Sequence, residues 1–240
     1  MEDQHIVTAF DRDLAELNRI IAQLGGMAEQ QLATATRLLD ARDPAPIDAL
    51  IAKDKELDAL EFLLNERAIE MIAIRSPMAT DLRRIIAAVK IASVLERIGD
   101  YAKNIAKRSR VIIASETNRS DSISLTRMAS LVQQMLNQVL DAYATSDAES
   151  AIDVWDRDQE VDQLHTSMYR DLLQMISAQS EVAEVSSHLL FIAKNIERIG
   201  DHTTSIAEQV YFLVHGSLPS DDRPKADDSS GTNLGSQKKR

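Results

Sequence analysis

The sequence predicts an all-α protein built as two tandem three-helix bundles, an internal repeat related by a pseudo-twofold axis. Three observations carry this expectation. Four Phe, four Tyr, one Trp, seven Gly and five Pro in 240 residues leave little material for strands and turns, while helix-tolerant types abound. Prolines stand only at 44, 46, 77, 219 and 224, where apolar helical patterns break, and none falls between 78 and 218. The chain also repeats itself. LERIGDYAKNIAK at 95–107 returns as IERIGDHTTSIAE at 196–208, an offset of 101. KDKELDAL at 53–60 matches RDQEVDQL at 157–164, and MAEQQL at 27–32 aligns with LVQQML at 131–136, both at an offset of 104. The three-residue difference falls in the loop holding Pro77, which the second copy shortens.

Helices are expected over 5–41, 44–74, 77–114, 122–145, 147–178 and 181–215. In the first, Gly25-Gly26 is expected to kink or break the helix. The second begins with Asp43-Pro44 and the third with Ser76-Pro77, each read as an N-cap followed by proline at the first helical position. Helices of about 30 residues span roughly 45 Å, and short connections pack them antiparallel. The first bundle covers 5–115 and the second 121–215. One continuous six-helix bundle would satisfy the same periodicity, less simply. From 217 to 240, Asp, Ser, Gly, Pro and Lys replace apolar residues, so this tail is expected to be disordered.

Composition excludes several functions. Without cysteine there is no disulfide scaffold, thiolate zinc site or cysteine nucleophile. The opening MEDQHIVTAF has neither the basic n-region nor the apolar h-region of a signal peptide. The most apolar stretch, 85–95, contains Lys90 and is far too short to span a membrane. A soluble cytoplasmic protein is expected. Twenty-seven Lys and Arg against 38 Asp and Glu give a net charge of −11. An acidic surface of this kind argues against nucleic-acid binding. No phosphate-cradling glycine loop, H-E-x-x-H or G-x-S-x-G occurs, so nucleotide cradles of those types and the zinc and serine sites of those motifs are not expected.

The repeated ERIGD segments carry the chemistry. Glu96 and Asp100 are four apart, as are Glu197 and Asp201, which places each pair on one helix face. Like charges at that spacing repel, so a compensating cation would stabilise them. Asn104 and Ser205 extend the faces by one turn. Such oxygen donors suit Mg, Mn or Fe(II). Asp54 and Asp58, matched by Asp158 and Asp162, add four-residue spacings on the second helix of each unit. If that face meets the ERIGD helix, each bundle gathers four carboxylates; if it faces water, these are solvated charges. Arg97 and Arg198 could equally neutralise the pairs as ordinary surface ion pairs. Gly99 and Gly200, each costing about 1 kcal/mol relative to Ala in mid-helix, point to close approach of a helix or a ligand. Arg83, Lys90 and Arg97, seven apart, form a stripe for an anion or an acidic partner, or else a solvated face. A carboxylate-bridged metalloenzyme or metal-storage bundle is the alternative function, but it calls for repeated Glu-x-x-His pairs. None occurs; Asp162-x-x-His165 is a lone imitation whose repeat equivalent is Glu61, and His202 is matched by Tyr101. The histidines therefore read as packing or surface residues, and Trp155 as core.

The doubled ERIGD, the P-x-x-x-DLR run from Pro77 to Arg83 and the IAE ending at Glu208 together resemble the PhoU family, regulators that accompany bacterial high-affinity phosphate transport. The resemblance covers about 5–215. It implies two similar three-helix bundles and a non-enzymatic negative regulator of phosphate uptake and of the phosphate-starvation response, expected as a homodimer and peripheral to the membrane only through its partners. It also implies an adaptor between the ATPase subunit of a phosphate ABC transporter and a sensor histidine kinase. Metal clusters (Fe, Mn, Mg or Zn) would sit at Glu96 with Asp100 and at Glu197 with Asp201. Two departures stand out: Val94 where an acidic residue often precedes the first motif, and Ser205 where Asn usually closes the second.

Overall fold

The computed structural model describes residues 2–115, 122–220, 226, 227 and 229. It contains α1 (Glu2–Ala41), α2 (Ile47–Arg75), α3 (Thr80–Ala114), α4 (Ser122–Thr145), the one-turn α5 (Ala148–Ile152), α6 (Val154–Ala178) and α7 (Ala183–His215). A short 3₁₀ turn, Ser180–Val182, leads into α7. No strand occurs among the described residues.

Apolar side chains at helical spacing explain the assembly. On α3, Ile85, Ile91, Leu95, Ile98, Ala102 and Ile105 are all buried, and their equivalents on α7 follow the same period. Helices α1, α2 and α3 pack mutually as one unit; α4, α6 and α7 form the other. The two units meet mainly through α3 against α7, with α1 against α4 beside it, and one cluster of buried residues runs through both. The expected tandem bundles are therefore present, but they share a continuous core. Tyr101 stacks on His202 with ring centroids 5.4 Å apart. These two residues are repeat equivalents, and equivalent positions touch each other only near a twofold axis. The pseudo-twofold thus passes between α3 and α7.

Four expectations need correction. Gly25-Gly26 does not break α1, which runs unbroken from Glu2 to Ala41. A Cβ at Gly25 would lie 2.9 Å from Leu140 Cδ1, so this glycine serves the contact between α1 and α4. Ser76 does not start α3. It ends α2 in a left-handed conformation (φ 45°), its N–H donating to the Ile72 carbonyl, and α3 begins at Thr80. A residue preceding proline avoids the right-handed helical region, so the chain leaves the helix there. Asp43 accepts a hydrogen bond from Ala45 N (2.9 Å) and closes a turn, and α2 starts only at Ile47. The expected 147–178 helix is divided at Asp153, with Asp147 capping the short first piece through Ser150 N at 3.0 Å.

Most of the tail expected to be disordered lies outside the described residues. Ala226 and Asp227, however, lie against α6 and α7. Trp155 and His165 are buried, as their packing role requires.

Candidate functional site

Contact between α2 and α3 places the first set of candidates. Gly99 makes this approach possible: a Cβ there would come within 2.4 Å of Leu57 Cδ1 and 3.0 Å of Gln31 Oε1. With α2 so close, its acidic face meets the first ERIGD segment. Lys103 donates to both Asp54 and Asp100, joining the two helices. Asp54 is buried, Asp58 is exposed, and Glu61, Glu96 and Asp100 lie at intermediate depth. Burial, then the charges of Asp100, Glu61, Asp58 and Asp54, push the Glu96 carboxyl up to about 7. Burial alone would lower the Lys103 ammonium. Its hydrogen bonds to Asp100 and Asp54 outweigh that and hold it above the ordinary lysine value.

The second set is the counterpart between α6 and α7. Gly200 again admits the neighbouring helix, and a Cβ there would lie 3.0 Å from Asp158 Oδ1. Asp158, Asp162 and Glu197 are buried, and Asp201 is partly so. Lys194 donates to Glu197 Oε1 at 2.7 Å. Glu197 Oε2 is buried without a hydrogen-bond partner among the described residues. Burial raises the Glu197 carboxyl, Lys194 opposes this, and Asp201 and Asp227 add to it, so the net shift is upward.

The structure therefore brings Glu96 near Asp100, Asp54 and Asp58, adding Glu61, while in the second repeat Asp201 lies near Glu197 and Asp158 lies against Gly200. Asn104 is half-buried one turn along, and the Ser205 hydroxyl donates to the Asp201 carbonyl at 3.0 Å. The cations that answer these carboxylates are Lys103 and Lys194, which the sequence reading passed over. Arg198 instead lies over the Tyr101 ring, 5.8 Å from its centroid. Arg97 acts on His202: burial first, then the Arg97 charge, lowers that imidazole's pKa. Both arginines thus serve the junction between repeats. The signal for the lysines was local spacing, Asp100 with Lys103 and Lys194 with Glu197, three apart on one helix.

The Arg83, Lys90 and Arg97 stripe is not uniform. Lys90 and Arg97 are exposed. Arg83 bonds Thr80 Oγ1 (3.1 Å) and packs so tightly on Gly216, at the end of α7, that a Cβ there would fall 1.8 Å from its Nη1. A separate cleft of 780 Å³ opens between the repeats, with Gly26, Glu29, Arg84, Asp141 and Tyr143 among its walls, away from both carboxylate faces.

The donor set suits a hard divalent cation in kind, and the unpartnered Glu197 Oε2 and the raised Glu96 are places where positive charge would be stabilising. In position the donors are not drawn together on one point. Among the described residues, no group of three or more His, Asp or Glu side chains converges to hold a metal ion. At each face an ammonium already answers the carboxylates.

The fold and these faces define a class: a tandem-repeat helical protein whose two halves each carry a paired-carboxylate motif at a helix–helix contact, with no described helix long and apolar enough to cross a membrane. The PhoU domain model matches residues 21–109 and again 125–210, and the chain belongs to the PhoU family. It is 43% identical over 230 residues to a phosphate-specific transport system accessory protein PhoU homolog of Rhizobium meliloti, covering 96% of this chain and 97% of that one. A homolog of the same description from Caulobacter vibrioides is 42% identical over 224 residues, covering 93% and 97%. The crystal structure of PhoU from Pseudomonas aeruginosa superposes with a TM-score of 0.84 at 29% identity, covering 87% of this chain and all of that one.

Proposed function

We propose that this chain is a cytoplasmic, non-enzymatic negative regulator of phosphate uptake and of the phosphate-starvation response. In this reading it links the ATPase subunit of a phosphate ABC transporter to a sensor histidine kinase, acting as a homodimer. The observation that carries the proposal is family membership across both repeats, in register with relatives named as accessory proteins of phosphate-specific transport. Exposed apolar side chains support an adaptor role, since Phe62, Ile69, Ile74 and Met78 stand out from α2 and the turn after it. The test is alkaline phosphatase activity in phosphate-replete cells of the source organism. Deleting the gene is expected to raise activity severalfold, with restoration by the plasmid-borne gene. Equal, low activity with and without the gene overturns the repressor role.

Cation binding belongs to the same proposal in a restricted form. Fe, Mn, Mg or Zn would be held by Glu96, Asp100 and Asp54 in the first repeat and by Glu197, Asp201, Asp158 and Asp162 in the second. Entry requires Lys103 or Lys194 to swing away. Asp100→Ala combined with Asp201→Ala is expected to lower the metal content of the purified protein by elemental analysis. Unchanged content would remove the metal assignment from these faces and leave the regulatory role standing.

A further inference from the structure

The second repeat carries a set of side chains that the first repeat does not match. In the second repeat, His165, Thr166 and Lys194 surround the carboxylate of Asp227, which comes from the C-terminal segment. Lys194 Nζ lies 3.3 Å from Asp227 Oδ2, and Thr166 Oγ1 lies 3.4 Å from Oδ1. His165 Nδ1 is 3.5 Å from the same Oδ1. Next to it, Ala226 N donates to Asp162 Oδ2 at 2.8 Å. Lys194 also holds Glu197, so one ammonium joins the tail to the ERIGD motif. The segment therefore engages Asp162 directly and Glu197 through Lys194.

The first repeat has no such place. The equivalents of His165, Thr166 and Lys194 are Glu61, Phe62 and Ser93. At these three positions an incoming carboxylate would find another carboxylate and no cation. Phe62 stands 64% exposed where Thr166 is covered.

We propose that the notch formed by Asp162, His165, Thr166 and Lys194 is a docking site for the chain's own C-terminal segment, anchored by Asp227, which covers this part of the second carboxylate face and has no counterpart on the first among the described residues. Two features make the site selective. It presents a cation and a hydroxyl to the incoming carboxylate, and a carboxylate to the incoming backbone N–H, so it reads an acidic side chain and the preceding amide together. The tether supplies the segment at a local concentration of order millimolar, so two modest polar contacts suffice to keep it seated. A ligand of the second face that needs Asp162 or Lys194 must displace Ala226 and Asp227 from them.

The test uses the full chain. Trypsin cuts after Lys225, and the amide it must free belongs to Ala226; Arg223 is followed by proline and resists. Cleavage at Lys225, followed by mass spectrometry, is expected to be slower in the intact protein than in a synthetic peptide of residues 217–233. Asp227→Asn is expected to accelerate it about tenfold, the scale of a lost charge-assisted hydrogen bond. This substitution lies outside the helical body, so the melting temperature should not move. Lys194→Met should accelerate cleavage equally. Wild-type cleavage as fast as in the peptide, or a rate unaffected by Asp227→Asn, would overturn the proposal. Carried out on metal-free protein without partners, neither result bears on the regulatory reading, which stands or falls separately.

Discussion

Lys103→Met is expected to lower the free energy of unfolding by about 2–4 kcal/mol at pH 8, or roughly 4–16 °C in melting temperature for a domain of this size. Lys103 bridges Asp54 on α2 and Asp100 on α3, and its side chain is 18% exposed against 10% for Asp54. Removing one partner of a buried ion pair leaves the other charge desolvated without compensation, typically at about 3–5 kcal/mol. Asp100 is 44% exposed, and water can take up part of its charge, so the lower range applies. The loss should depend on pH. The Glu96 carboxyl, raised to about 7, binds its proton more tightly in the folded state than in the unfolded chain. Stability from this group is complete below its ordinary value of 4.5 and is lost as pH rises through 7. At pH 8 the variant therefore faces Asp54, Asp100 and an ionised Glu96 together, while at pH 5 Glu96 is neutral and the deficit shrinks. Urea unfolding at the two pH values measures both effects. Asp54→Asn in the Lys103→Met background should recover most of the loss. An unchanged midpoint at pH 8 would mean that Lys103 does not hold the two helices together.

How much of this was legible beforehand depended on whether the repeat carried it. ERIGD, the acidic second helix and the mid-helix glycines occur twice, and all of them ended at the helix contacts that doubling suggested. Lys103 and Lys194 occur once each. Their equivalents are Thr204 and Ser93, so matching the two copies hid the residues that neutralise the two faces. The Asp227 anchor was hidden for a related reason. It sits in a segment whose polar composition predicts disorder, and a single side chain meeting His165 and Lys194 leaves no periodic trace. Ser76-Pro77 misled because Ser precedes proline both at helix starts and at helix ends. Only tertiary packing decides whether the next helix begins at once or three residues on. The boundary between one core and two was likewise invisible, since helical periodicity records which face is buried but not against which helix.

The glycines of α1 and α3 should answer the same substitution with opposite signs. Gly→Ala at an unhindered helical position stabilises by about 0.5–1 kcal/mol, through backbone entropy and helix propensity. Gly26 is such a position: a Cβ there meets nothing within 4 Å, and α1 passes through it unbroken. Gly26→Ala should therefore raise the melting temperature by a few degrees. At Gly99 the new Cβ would fall 2.4 Å from Leu57 Cδ1 and 3.0 Å from Gln31 Oε1. Leu57 and Gln31 are 1% and 2% exposed, so neither can swing into solvent, and α2 must shift away from α3. Overpacking of this kind costs about 1–3 kcal/mol and outweighs the propensity gain, for a net loss of about 1–2 kcal/mol. Because that shift separates Asp54 from Asp100, Gly99→Ala should also loosen the Lys103 bridge. Its effect combined with Lys103→Met should then be smaller than the sum of the two alone. Thermal melts of the single variants and the double variant measure all three quantities. A stabilised Gly99→Ala protein would show that α2 and α3 have room to spare, and that the glycine is not what brings the carboxylates together.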